Sequence, residues 1–171
     1  MRAAVITISD KGAAGLREDR SGPVLVQALE AMGAEVVHTA IVPDEPDQIS
    51  ALLTRLADEG TADVIISTGG TGVAPRDRTP EATRPVLDYE IPGIAEALRF
   101  EGFRKTPLAV ISRGLAGVRK HCLIINLPGS TKAVREGMET LAGIVPHTVQ
   151  MILGENLEHA DGKHEHKHQH D

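Results

Sequence analysis

Asp63-Val64-Ile65-Ile66-Ser67-Thr68-Gly69-Gly70-Thr71-Gly72 is the stretch on which the fold turns. Its first half is β-branched and apolar without polar alternation, the pattern of a strand covered on both faces in a parallel sheet flanked by helices. The strand is expected over Asp63 to Ser67. Its second half holds three glycines within four residues. The backbone there can take positive φ and approach a ligand with no Cβ in the way. Such a loop lies at the carboxyl end of its strand, where open α/β sheets bind ligands. Beyond the glycines, Arg76 adds a planar cationic fork and Asp77 a carboxylate suited to a magnesium ion. Thr79 is placed to cap a helix begun by Pro80. Taken alone, the loop reads equally as a phosphate cradle and as a tight glycine turn with a charged rim, so its neighbours have to decide.

Upstream, Ala3 to Ile8 has the same buried-strand character and is left through Ser9-Asp10. Lys11 to Ser21, rich in Gly, Ala and charge, reads as a loop at the same end of the sheet. Gly22-Pro23 then opens a helix with Leu25, Leu29 and Met32 on one stripe and Gly33 as its left-handed stop. Glu35 to Val42 is a second strand, and Pro43-Asp44-Glu45-Pro46 turns the chain into another helix, capped by Asp44 or Glu45. In that helix Ile49, Leu52, Leu53, Leu56 and Ala57 follow the amphipathic spacing closely, up to Gly60. Strands alternating with amphipathic helices imply parallel βαβ crossovers, with helices on the sheet faces.

Downstream, Pro80 to Val86 suggests a short helix broken at Pro85, and Pro92 to about Phe100 a further one with Ile94, Ala97 and Leu98 inward. Leu108 to Ser112 and Cys122 to Leu127 are two more candidate strands. The link between them is too short for a crossover helix, so an antiparallel pair and a mixed sheet are expected. Leu127-Pro128-Gly129-Ser130 repeats the strand-to-glycine-loop design, with Ser130 as N-cap and Lys132 and Arg135 in the first turns of the next helix. That is a second candidate anion site. Val134, Met138 and Leu141 form the stripe of this helix, and a last one runs from Pro146 to Leu153.

Composition narrows the function. Subtracting 24 acidic from 18 basic residues leaves a net charge of -6, unfavourable for a nucleic-acid or anionic-membrane partner. With two Phe, one Tyr and no Trp, the core is aliphatic and base-stacking platforms are lacking. The single Cys122 sits in an apolar run and reads as a buried, inert thiol. The amino-terminal segment reaches Asp10 too early for a signal peptide, and no apolar run approaches ~18 residues, so a cytoplasmic protein is expected. One domain over 1–154 is expected, followed by a disordered tail over 155–171. In that tail His164, His166, His168 and His170 alternate with charges, a pattern able to capture zinc, nickel or copper loosely.

Neither a GxxxxGK[ST] loop nor a GxGxxG is present, which disfavours P-loop ATPases and ordinary NAD enzymes. No CxxC or HExxH spacing occurs. What remains is a set of strand-end loops: Ser9-Asp10, Asp44, Thr68 to Asp77, Ser112-Arg113 and Pro128-Gly129-Ser130.

Those loops carry a resemblance. TGGTGxxPRDxTPE, ISDKG with D-x-SGP, VPDE, and SRxxAGVRK followed by INLPGSTKAVREG together resemble the molybdopterin adenylyltransferase family, the MogA/MoaB-like proteins related to the G domain of gephyrin. The likeness covers about residues 3–153. It implies a three-layer α/β/α sandwich, binding of molybdopterin and Mg-ATP, and transfer of AMP to the pterin's terminal phosphate with release of pyrophosphate. It also implies a homotrimer, or a hexamer of paired trimers, and a molybdate-inserting partner protein. By motif, Asp44 of VPDE and Asp77 of PRD match the catalytic acidic pair that positions magnesium. Ser9, Asp10, Thr68, Gly69, Gly70, Thr71, Gly72, Arg76, Ser112, Arg113, Pro128, Gly129, Ser130 and Lys132 would line the substrate and nucleotide pocket. PGSTKA and AGV lean to the MoaB branch and PRDxTP to the MogA branch, so a non-catalytic pterin-binding or carrier protein is the alternative.

Overall fold

The computed structural model of the protein describes residues 1–155. The histidine-rich part of the expected tail lies outside the described residues. In chain order the elements are β1 (Arg2–Ile8), α1 (Asp10–Ala13), α2 (Ser21–Ala31), β2 (Glu35–Val42), α3 (Pro46–Asp58), β3 (Val64–Thr68) and α4 (Thr79–Thr83). There follow β4 (Tyr89–Glu90), α5 (Pro92–Lys105), β5 (Ala116–Arg119), β6 (Cys122–Leu127), α6 (Thr131–Leu141) and α7 (Val145–Ile152).

The six strands form one sheet in the order β2-β1-β3-β6-β5-β4. The first four are parallel neighbours, whereas β5 runs antiparallel to both β6 and β4. Alternate residues of the central strands enter separate cores, which explains their unbroken apolar runs. Val5, Val64, Ile66, Leu123 and Ile125 pack with Leu25 and Leu29 of α2, Val134 and Met138 of α6 and Val149 of α7. Ala4, Ile6, Ile65 and Ile124 pack with Ile49, Leu53 and Leu56 of α3 on the other face. The result is the expected three-layer sandwich with a mostly parallel mixed sheet. Because the chain leaves β1 for β2 on one side and returns to β3 on the other, a topological switch point opens at the carboxyl end of β1.

Several local expectations change. The strand expected at Leu108 to Ser112 is a 3-10 turn over Pro107–Ile111, and the strand paired with β6 lies at β5 instead. Only Lys120 and His121 separate β5 from β6, with Lys120 at φ 51, so a tight hairpin takes the place beside β6 and leaves Leu108 71% exposed. The loop expected from Lys11 begins with α1, because the Ser9 hydroxyl accepts from the Gly12 amide and caps a turn. Thr79 does not cap: it is the first residue of α4, and its hydroxyl donates to the Gly69 carbonyl at 2.9 Å. Neither Asp44 nor Glu45 caps α3 through its side chain; Glu45 occupies the N-cap position without such a bond. Ser130 does cap α6, accepting from the Ala133 amide.

At the amino ends of the strands, bidentate contacts join Arg2 to Asp63 and Arg119 to Asp58. A cavity of about 410 Å³ there is lined by Arg2, Asp63, Lys120, Cys122 and Leu153, among others. Burial pushes the Cys122 thiol up to about 12, so it stays protonated and inert as expected.

Candidate active site at the carboxyl ends of the strands

The parallel register brings the ends of β1 and β2 side by side, since Ile8 pairs with Val42. The chain leaves them at Asp10 and Asp44. Each aspartate satisfies the other's backbone: the Asp10 amide donates to Asp44 Oδ2 at 2.9 Å, and the Asp44 amide donates to Asp10 Oδ1 at 3.0 Å. Arg76 fastens this pair to the glycine loop. Its Nε and Nη2 donate to the two Asp10 oxygens at 3.0 Å, and Nη2 also reaches Glu45 Oε1 at 2.8 Å. Arg76 holds the Asp10 carboxyl below the usual carboxylate range, with help from the Asp44 amide. Asp44 moves the opposite way, chiefly because it is desolvated, and the charges of Asp10 and Asp77 add to the rise.

Glycine is required at two positions of the loop. Gly69 has φ +107° and Gly70 φ +68°, conformations costly for any residue with a Cβ. A Cβ at Gly69 would collide with the Ile8 carbonyl, and one at Gly70 with the Thr79 hydroxyl. The latter position lies only 3.0 Å from Asp44 Oδ1. At Gly72, a Cβ would stand 2.8 Å from Asp77 Oδ2, which accepts from the Ala74 amide at 3.0 Å. Both carboxylates thus face the glycine backbone, Asp44 from the end of β2 and Asp77 from the far limb of the loop.

The β6 loop closes the third side. Thr68 is fully buried, and its hydroxyl donates to the Pro128 carbonyl at 2.8 Å, while the Gly69 amide donates to the Leu127 carbonyl at 3.0 Å. Below, Asn126 donates to the hydroxyls of Ser67 and Thr83 and accepts from the Leu115 amide, tying β3, α4 and β5 together.

Two cavities meet at this crossing. One of about 490 Å³ runs between α5 and α6 and includes Thr71, Gly72, Ser112 and Pro128 in its walls. Another of about 720 Å³ lies over β1 and the start of α2 and includes Ser9, Asp44, Thr68, Gly69 and Ser130. Gly70, Asp77 and Gly129 belong to both. Asp10, Arg76, Arg113 and Lys132 line neither. The first three are held in contacts within the protein, and Lys132 is an exposed side chain 3.9 Å from Glu136.

Sequence reasoning did not select Asp19, whose oxygens accept from the Gly22 amide and the Thr7 hydroxyl and join β1 to the start of α2. The signal was present as an aspartate three residues before a free amide in the first turn of a helix. It also passed over Arg17 and Arg20, which line the larger cavity. Nothing in their spacing marks them.

Comparison with known proteins places this geometry. Residues 4–147 match the family described as "Probable molybdopterin binding domain". A molybdopterin adenylyltransferase of Helicobacter pylori is 39% identical over 90% of this chain and 89% of its own. The molybdenum cofactor synthesis protein cinnamon of Drosophila melanogaster is 44% identical over 86% of this chain, which spans only 25% of that longer protein. Among solved structures, the molybdopterin biosynthesis enzyme MoaB of Thermus thermophilus superposes with a TM-score of 0.85 at 47% identity, covering 90% of this chain and 97% of its own. The match runs through every strand-end loop that builds the crossing of the two cavities, and the chain belongs to the molybdopterin-binding-domain family of molybdenum cofactor biosynthesis.

Proposed function

We propose that the protein is a molybdopterin adenylyltransferase. The observation that carries this reading is that Gly70, Asp77 and Gly129 are shared by two cavities, so two substrates bound one in each would meet beside Asp77. In the reaction, an oxygen of the pterin's terminal phosphate forms a bond to the α-phosphorus of ATP. The bond from that phosphorus to the β-phosphate bridging oxygen breaks, and pyrophosphate leaves. A phosphate monoester is largely dianionic at neutral pH, so its attacking oxygen needs no strong base. Alignment and charge neutralisation then dominate the catalysis.

The residues suit those tasks. Backbone at Gly69 to Gly72 and at Gly129 lets phosphates approach closely, and the amino-terminal ends of α2 and α6 border the larger cavity at Ser21 and at Ser130-Thr131. Asp44 and Asp77 fit a magnesium ion: both offer hard carboxylate oxygens toward the same glycine backbone. Among the described residues no group of three or more His, Cys, Asp or Glu side chains is set to hold a metal. Magnesium bound by two carboxylates plus water and substrate phosphate is consistent with that supply. Such an ion would neutralise phosphate charge.

A homotrimer in the cytoplasm, handing its product to a molybdate-inserting protein, completes the proposal. Support for self-association comes from Phe100 and Phe103 of α5, Leu108 and Val110 of the turn packed after it, and Tyr89 of β4, all more than half exposed. The decisive experiment mixes protein, molybdopterin and Mg-ATP and follows pyrophosphate and adenylylated pterin. Tight pterin binding without turnover would choose the carrier reading instead.

A further inference from the structure

We infer that Arg113 is a positioning residue for Asp77, held in place by Glu81, and that it is not a phosphate ligand. The inference rests on the adenylyl-transfer reading. Arg113 leaves the 3-10 turn just ahead of β5, and its backbone amide donates to the Thr71 carbonyl at 2.8 Å. Its side chain then crosses the glycine loop. Nε donates to the Gly72 carbonyl at 2.8 Å, Nη2 donates to the Asp77 carbonyl at 2.9 Å, and Nη1 pairs with the Glu81 carboxylate.

These contacts join the two ends of the curve that carries Asp77. The Asp77 carboxylate accepts from the Ala74 amide inside the same curve, so its aim follows the loop's shape. Ser112 and Gly114 line the smaller cavity, yet Arg113 between them lines neither cavity. Each of its nitrogens donates into the protein, which leaves the guanidinium turned away from an incoming phosphate. Glu81 is held below its ordinary range by the Arg113 hydrogen bond and acts as an anionic anchor from the first turn of α4. Only a planar fork can span two carbonyls and a carboxylate at once; an ammonium on a flexible stem cannot.

The test compares wild type, Arg113→Lys, Glu81→Gln and a matched change at the opposite pole, Arg119→Lys. Hydrogen exchange at the amides of Gly72, Val73, Ala74, Arg76 and Asp77 reads the loop without any catalysis. Exchange is expected to quicken in Arg113→Lys and Glu81→Gln and to stay as in wild type in Arg119→Lys. Unchanged exchange in Arg113→Lys overturns the proposal. Turnover is read separately, so an inactive wild type counts against adenylyl transfer while the exchange result still judges Arg113. In active protein, kcat of Arg113→Lys should fall by about 10- to 100-fold, as for a misaligned catalytic group. KM for ATP should stay within about twofold, because binding is left intact. A raised KM with kcat retained would make Arg113 a phosphate ligand. Should Arg113→Lys fail to fold, Glu81→Gln carries both readouts, with a smaller drop in kcat.

Discussion

Asp10 and Asp44 each accept a hydrogen bond from the other's backbone amide, at 3.0 and 2.9 Å, across the ends of two parallel strands. The two carboxylates nevertheless differ in environment. Asp10 is compensated by Arg76, whereas Asp44 is desolvated and faces Asp10 and Asp77. One aspartate is therefore compensated by a cation, and the other is left with a raised carboxyl facing the glycine loop.

Replacing Asp10 with Ala removes the acceptor for the Asp44 amide and the partner of Arg76 together. The expected outcome is a loss of turnover by about 10-fold or more through misplacement of Asp44, with only a small drop in melting temperature. Steady-state kinetics beside a thermal melt checks this, and an unaltered kcat would show that Asp44 is held by other means.

The pH dependence should follow Asp44. With its folded value raised above that of the unfolded chain, the carboxyl favours folding below its unfolded value, and that contribution is lost as pH rises through the raised value. Asp44→Asn is therefore expected to melt higher than wild type near pH 7, with the gap closing toward pH 4. In turnover it should lose at least ~10². Retained turnover in Asp44→Asn would separate Asp44 from the reaction.

Asp77→Asn keeps the Ala74 hydrogen bond and removes the charge beside both cavities. Turnover should fall by at least ~10² with little effect on folding. Comparable activity in the variant would take Asp77 out of the mechanism.

Gly69→Ala tests the backbone. At φ +107° with a Cβ aimed at the Ile8 carbonyl, the substitution should cost about 1–3 kcal/mol from backbone strain, with the collision adding to it. Urea titration gives the value. A neutral result would mean that β1 and β3 separate there at no cost.

At the other pole, Arg119 lowers Asp58 to about 2. A depressed carboxyl contributes stability that is present above its unfolded value of 3.8 and lost as pH falls through about 2. Asp58→Asn should lower the urea midpoint at pH 5 to 7 and match wild type near pH 2.

Much of this was legible in the sequence because parallel strands covered on both faces leave unmistakable apolar runs, as at Ile65 and Ile66. The chain's edge was less so. Leu108 to Ile111 is as apolar as a strand, but only competition for the place beside β6 shows that Ala116–Arg119 occupies it. Strand β4, two residues long and exposed, leaves no pattern at all. In the site, the motifs selected Asp44 and Asp77 by type, yet the pairing of Asp10 with Asp44 depends on β1 lying beside β2. Likewise, cations were expected near phosphate, and nothing in SRG or PRD reveals that Arg113 spends its donors on the loop carbonyls and Arg76 on Asp10 and Glu45.

The cavity at the amino ends of the strands has a practical meaning. Arg2, next to the first residue, and Leu153, just past the last helix, line the same hollow, at the opposite ends of the strands from the glycine loops. Both ends of the described chain thus leave from one pole. A tether fixed at the amino end, whether a bead, a dye or a neighbouring domain of a longer polypeptide, would start from the pole opposite the two chambers and leave them open to solution.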